Sequence, residues 1–258
     1  MPNWTFNDME VNIYQADDDN KEEAKKQLKE FLEESLVHPK ITDKDGNVTG
    51  EEKDKLVFTF KGAVPMPDSL NICSGSTTDR AVACILYEKG VYEHERLDTI
   101  NKYMAMPWME EFITGKTISE KREQCYKHLM KDVDDKSLME GKKAIINLEA
   151  YGCKDWYDWC IRNWGTKWDA GTEPIHLTKD EDKEKFIQDC VDSDEFLIHF
   201  ETAWSPPMEW MQGATERFPL LCFVNRVTEE SNAFVGCPVA MYGEVCENIT
   251  SVDYPRGS

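Results

Sequence analysis

The sequence predicts an α+β fold in which two β-α-β halves frame a long helical stretch. Three observations carry this. Period-two alternation of apolar residues appears near both ends of the chain, as in "MEVNIYQ" and "EFLIHFETAW". Helical spacing fills most of the region from 78 to 192. Nothing resembling a linker separates the two ends, so both halves are expected in one sheet of a single domain covering 1–258. Two such halves around a helical insertion describe a split β-α-β, ferredoxin-like sheet.

The elements follow in order. Residues 9–15, "MEVNIYQ", alternate as a strand. "DDDNKEEAKKQLKEFLEESLV" places Leu28, Phe31, Leu32, Ser35 and Leu36 on one face behind an acidic start, an amphipathic helix with a favourable dipole arrangement. A loop or hairpin rich in Gly and Asp leads to "KLVFTFKGAVPMP", a strand ended by two prolines. The first half therefore occupies residues 1–70.

The insertion, 78–192, reads as successive helices: "DRAVACILYEK", "ERLDTINKYM", "SEKREQCYKHLMKDV" and "SLMEGKKAIINLEAYG". In the last of these Ala144, Ile145, Leu148 and Tyr151 share a face. "DWYDWCIRN" is a short helix stopped by "NWG", and "TKDEDKEKFIQDCVD" is a further capped helix. The second half, 195–245, begins with the strand "EFLIHFETAW". A helix "SPPMEWMQGATERF" follows, with Ser205 as N-cap and prolines in its first turn. "PLLCFVNRVTEE" and "NAFVGCPVAMYGEV" form a terminal hairpin around "EESN". The closing "RGS" resembles a cloning remnant and is left out of the fold.

Composition narrows the function. With 40% apolar and 11% aromatic residues, the chain has enough material for a real core. Its 50 acidic against 30 basic residues give a net charge of −20. That charge repels nucleic-acid phosphates, whose binding relies on Lys and Arg displacing counterions, and suits a partner with a basic surface. Nine cysteines, an odd number without any CxxC pair, argue against a disulfide framework or a zinc ribbon and for a reducing compartment. The N-x-S/T triplets at Asn3, Asn47 and Asn248 are expected to be chance. No signal peptide is visible, and no apolar run is long enough to span a membrane.

The opening "MPNW", the "VPMP" after the second strand, "WYDWCIRNWGTKW", and "FETAWSPP" followed by "RFP" together resemble a ferredoxin-like, YubB-type family of phages and plasmids. The likeness touches both ends and the middle of the chain. Where the family pattern has Cys-x-Asn after the first Trp, this chain continues "MPNWTFNDMEV". The resemblance implies a ferredoxin-like fold and a mobile-element, bacteriophage origin. It brings no established activity and no catalytic residues.

The segment "DWYDWCIRNWGTKW", 155–168, holds four of the eight tryptophans. Trp156, Trp159 and Asn163 share a helical face, and Trp164, Thr166 and Trp168 alternate beyond it in an extended run. Indoles stack on planar or cationic groups. Trp159, Trp164, Trp168 and Trp204, with Arg162 and Lys167 to meet a phosphate, are the residues that would hold a nucleotide-like small molecule. Against this stands a simpler reading, in which the segment packs on the sheet and "TAW" completes one aromatic core. "ITDKDGNVTGEE", 41–52, aligns Asp43, Asp45, Gly46, Val48 and Glu52 with a calcium loop, but Ile41 stands where the first oxygen ligand belongs. An Asp-Gly turn is expected there instead.

Catalysis finds little support. There is no G-x-S-x-G and no phosphate-binding G-x-x-x-x-G-K-[ST]. The five histidines are scattered: His94 lies between glutamates, and His199 falls on the solvent side of its strand. Only a hidden pair such as Cys160 with His199 could supply a nucleophile. "LVFTFKG" has the aromatics of an RNA-binding strand without its basic companions. The expectation is a non-enzymatic acidic protein, without cofactor, metal, membrane or direct nucleic acid. It would act in the bacterial host cytoplasm by binding and blocking a host defence or nucleic-acid-handling protein that has a basic surface. The alternative is a module that sequesters a small ligand or nucleotide on segment 155–168.

Overall fold

The computed structural model describes residues 3–73, 75–179 and 181–251; Met1 and Pro2 of the opening motif and the closing "RGS" lie outside them. In chain order the elements begin β1 (Trp4–Asn12), α1 (Lys21–Ser35), β2 (Leu36–Val37), β3 (Lys40–Thr42), β4 (Val48–Glu51) and β5 (Lys55–Phe58). They continue α2 (Ser76–Glu88), α3 (Ile100–Met104), α4 (Ile118–Leu129), α5 (Asp135–Tyr151), α6 (Trp156–Asn163), β6 (Ile175–His176) and α7 (Lys183–Asp192). Last come β7 (Glu195–Ala203), α8 (Met208–Arg217), β8 (Cys222–Glu229), β9 (Phe234–Gly236), β10 (Val239–Met241), β11 (Glu244–Cys246) and β12 (Ile249–Ser251). The chain divides into two compact units, one of residues 1–65 with 160–258 and one of 66–159.

The first unit is built on an antiparallel sheet in the order β11-β10-β8-β1-β7, with β9 also paired to β8. β1 runs antiparallel to both neighbours, in registers that include Asp8↔His199 and Asp8↔Arg226. β7 and β8 are therefore parallel with β1 between them, and α8 is the crossover: a split β-α-β arrangement. α1 and α8 lie over one face. Phe31 of α1 meets Phe218 and Phe223 edge-on at 5.7 and 5.5 Å, and Trp210 of α8 lies 4.9 Å from Phe60. Phe58 adds contacts with Phe196 and Phe200 of β7. Rings of this size each contribute about 2–3 kcal/mol on full burial, so this aromatic layer dominates the unit's core.

Several elements differ from expectation. β1 starts at Trp4 rather than residue 9, because its inward positions Thr5 and Asn7 are polar yet buried. Asn7 Nδ2 donates to Thr5 O and Thr202 Oγ1, and Asn225 Nδ2 donates to Asn7 Oδ1, which links the amides across three strands and leaves Asn225 Oδ1 and Thr5 Oγ1 buried without a partner among the described residues. The first helix is shorter than predicted: it ends at Ser35, since Leu36 and Val37 pair with Phe58 and Val57. β5 stops at Phe58, not at the prolines. Ser205 is not the cap of α8, whose N-cap is Pro207; the Ser205 hydroxyl donates instead to Gly165 O. The expected helical stretch is interrupted between α6 and α7, where Gly165 turns at φ +74°, Gly171 bridges to Glu201 and β6 pairs with β5. α7 begins at Lys183 behind Asp182, which accepts from Lys185 N.

The terminal hairpin forms around Glu229–Asn232 as expected. The Glu229 carboxylate accepts from Ser231 N and Ala233 N, and Asn232 takes φ +57°. Its second strand is broken into β9, β10 and β11, because Pro238 has no N–H to give and Tyr242–Gly243 turn the chain at positive φ.

The second unit is helical. Gly141 of α5 lets α2 approach closely: a Cβ there would stand 3.2 Å from Ala81 Cβ. Ile72, Val82, Ile85, Leu86, Leu97, Ala144 and Ile145 make one core cluster, with Leu148 packed on its edge, while Tyr151 is exposed. A second cluster holds Cys84, Ile100, Tyr103, Met109, Cys125 and Leu129. α4 opens with a Thr117/Glu120 capping box, and α5 with Asp134 accepting from Ser137 N. The predicted helix 95–104 is reduced to Ile100–Met104, capped by Thr99. No helix among the described residues is long and apolar enough to cross a membrane.

Candidate functional site

The face of the sheet opposite α1 and α8 presents the alternate side chains of the same strands. Phe6, Asp8, Leu197, His199, Glu201 and Arg226 are all exposed there, Phe6 at 45% and Leu197 at 58%. Alternation places them: the inward partners are Met9, Val11, Ile198 and Phe200. His199 Nδ1 pairs with Asp8, directly opposite in register, and Phe6 stands opposite Glu201. A groove of about 370 Å³ runs along this surface, walled by Trp4, Phe6, Asp8, Glu173, His199 and Glu201.

At the Trp4 end the aromatic surface continues. The rings of Trp4 and Trp168 lie 6.0 Å apart, and those of Trp168 and Trp204 lie 6.3 Å apart within 23° of parallel. Lys167 Nζ sits 4.6 Å from the Trp168 ring centre and 5.6 Å from that of Trp204, within cation–π range of both. Trp168 is 39% exposed and Trp204 47%. Thr166, buried just before them, ties this strip to the end of β7 by donating to Ala203 O and accepting from Ala203 N.

Lys167, Trp168 and Trp204, three of the expected ligand-holding residues, are thus brought together, and Trp4 joins them. Trp164 is not on this surface. It is 2% exposed, packed on Phe60 at 5.7 Å, and its Nε1 donates to Val64 O, so it offers no ring face to a ligand. Trp159 is likewise buried, and Arg162 stands exposed on α6. Residues 164–168 are a series of bends rather than an extended run, because Gly165 reverses the backbone. The tryptophan-rich segment is therefore part core and part surface. "TAW" does not complete the core, since Trp204 is exposed. Trp4 and Phe6 were missed; the period-two pattern Trp4, Phe6, Asp8, Glu10 was the available signal.

A larger groove of about 1080 Å³ lies along Val37–Lys40, Thr59–Gly62 and Asp169–Thr172. Three of its charged groups, Glu34, Asp169 and Arg217, serve the framework. Arg217 donates to Gly62 O and pairs with Glu34 at 2.6 Å, and Asp169 accepts from Thr59 Oγ1 and Phe60 N. The 41–52 segment is the β3–β4 hairpin, with Asp43 accepting from Asp45 N and Asn47 N and Gly46 at φ +83°. Among the described residues, no group of three or more His, Cys, Asp or Glu is placed to hold a metal ion. Burial pushes the Cys84 thiol up to about 12, and those of Cys125 and Cys190 up to about 11, which favours the protonated thiol over the nucleophilic thiolate. Cys160 is buried while His199 is exposed against Asp8.

A comparison with curated proteins found no match. The crystal structure of a protein api92 from Yersinia pseudotuberculosis aligns over 100% of both chains, with 13% identity and a TM-score of 0.33, which does not establish a common fold over that length. Residues 163–251, which include Lys167, Trp168, His199, Glu201 and Trp204, match the family model described as the ferredoxin-like domain in Api92-like protein. Over that span, about a third of its length, the chain is similar to a ferredoxin-like domain of the Api92-like kind.

Proposed function

We propose that this is a non-enzymatic acidic interaction protein of phage origin. It docks on a host protein with a basic surface, one serving defence or nucleic-acid handling, and blocks it in the bacterial cytoplasm. The observation that carries this reading is the uncovered sheet face, where Phe6, Leu197, Trp168 and Trp204 are exposed beside carboxylates. Aromatic anchors at the centre of a polar rim are the composition of protein-binding surfaces. A net charge of −20 favours basic partners and speeds their approach. The test is affinity purification from bacterial lysate at low salt, with a Trp168→Ala/Trp204→Ala double variant alongside. The reading expects a basic protein that is held by the wild type, released by salt and lost with the variant. Recovery unaffected by the variant, or of acidic proteins, contradicts it.

A second reading is favoured by Lys167 alone. A nucleotide base stacked on Trp168 or Trp204 would bring its phosphate to that ammonium. Quenching of tryptophan fluorescence by a nucleotide, abolished in Lys167→Ala, would support it; fluorescence unmoved by every common nucleotide counts against it.

A further inference from the structure

We infer that the groove between β1, β7 and segment 171–173 receives an arginine side chain of the basic partner, an assignment that rests on the docking reading above and names its anchor. Three of the groove's walls are carboxylates (Asp8, Glu173 and Glu201) and two are aromatic rings (Trp4 and Phe6). Gly171 sets this spacing. It exchanges both backbone hydrogen bonds with Glu201, and a Cβ there would stand only 3.3 Å from Glu201 O, so the bare backbone can run beside β7 and carry Glu173 to the groove.

The chemistry selects the occupant. Asp8 is engaged by His199, whereas among the described residues neither Glu173 nor Glu201 has an ion-pair partner. A phosphate would meet three carboxylates and be repelled. An apolar side chain would cover carboxylates without pairing them, at a cost in desolvation. A guanidinium answers both kinds of wall: its plane stacks on Phe6 or Trp4, and its forked N–H groups reach a carboxylate. An ammonium matches the charge but neither the plane nor the fork. The adjoining surface already holds a cation in this manner, with Lys167 over Trp168, which in turn contacts Trp4.

The test uses the full chain, labelled with 15N. It is titrated at low salt with two synthetic peptides that differ only in having arginine or lysine at the same positions, and with a short oligouridylate. The arginine peptide is expected to shift amide signals of β1, β7 and 171–173, and to bind about tenfold more tightly than the lysine peptide. A Glu173→Gln/Glu201→Gln variant is expected to lose about tenfold in affinity. Both side chains are exposed, so the variant folds, and its undisturbed remaining signals would verify this; Phe6→Ala provides an independent second variant. Equal binding of the two peptides, or full binding by both variants, overturns the arginine groove while docking by net charge survives. Absence of binding by either peptide overturns both. Shifts of these amides by oligouridylate alone assign the face to nucleic acid and overturn both as well.

Discussion

The ring of Trp204 stacks beside that of Trp168 from a backbone angle of φ +68°, a region that bulky L-residues rarely adopt. The turn after β7 therefore bears strain in order to present this indole. Trp204→Gly relieves the strain and Trp204→Ala does not, while both remove the ring. The glycine variant is expected to be more stable than the alanine variant by about 1 kcal/mol in urea unfolding. Equal midpoints would show that the turn is unstrained.

Buried and exposed indoles should respond differently to the same change. Trp164→Phe leaves the Val64 carbonyl without its donor and shrinks a core ring, with an expected loss of about 2 kcal/mol. Trp168→Phe should stay within about 0.5 kcal/mol of wild type. Denaturant titration of the two variants checks the contrast.

Gly62 lies against the end of α1, where a Cβ would stand 2.5 Å from Ser35 N and Cα. Backbone cannot move aside as a flexible side chain does. Gly62→Ala is expected to cost about 2–3 kcal/mol, and a thermal midpoint like that of wild type would refute the close packing.

Asp194, at φ +63°, joins the start of β7 to α1 through Lys21 at 2.8 Å and Lys25 at 3.1 Å. The Lys21 hydrogen bond, with help from Lys25, holds its carboxyl below the ordinary carboxylate range. A lowered folded-state pKa gives stability that is present above the unfolded value, about 4, and lost as pH falls through the folded one. Wild type should therefore exceed Asp194→Asn by up to about 1 kcal/mol at neutral pH. The gap should close as the solution is acidified below about pH 4; a gap independent of pH would contradict this linkage.

The halves of the sheet were legible because Met9, Val11, Phe196, Ile198 and Phe200 alternate openly. The beginning of β1 was not, because Thr5 and Asn7 fill core positions with polar groups, and the partners of Asn7, Thr202 and Asn225, lie on other strands. Ser205 before two prolines reads locally as a cap, yet its hydroxyl goes to Gly165, a contact that only the tertiary fold creates. Composition could not divide the tryptophan segment either. Trp164 is core because Phe60 and Val64 come to meet it, and Trp168 is surface because Gly165 turns the chain between them. Adding Trp4 to the cluster required the pairing of β1 with β7.

Docking on the uncovered face of the sheet differs from docking by net charge alone in the residues it depends on. The direct measurement is the affinity of the captured basic partner for three proteins: wild type, Phe6→Ala/Trp168→Ala/Trp204→Ala, and a control that removes charge from the exposed side of α1 by Glu23→Gln/Glu30→Gln. Docking on the sheet face predicts a loss of at least about tenfold for the first variant and less than about threefold for the second. Equal losses, or a larger loss from the α1 variant, would contradict it and place the interface elsewhere.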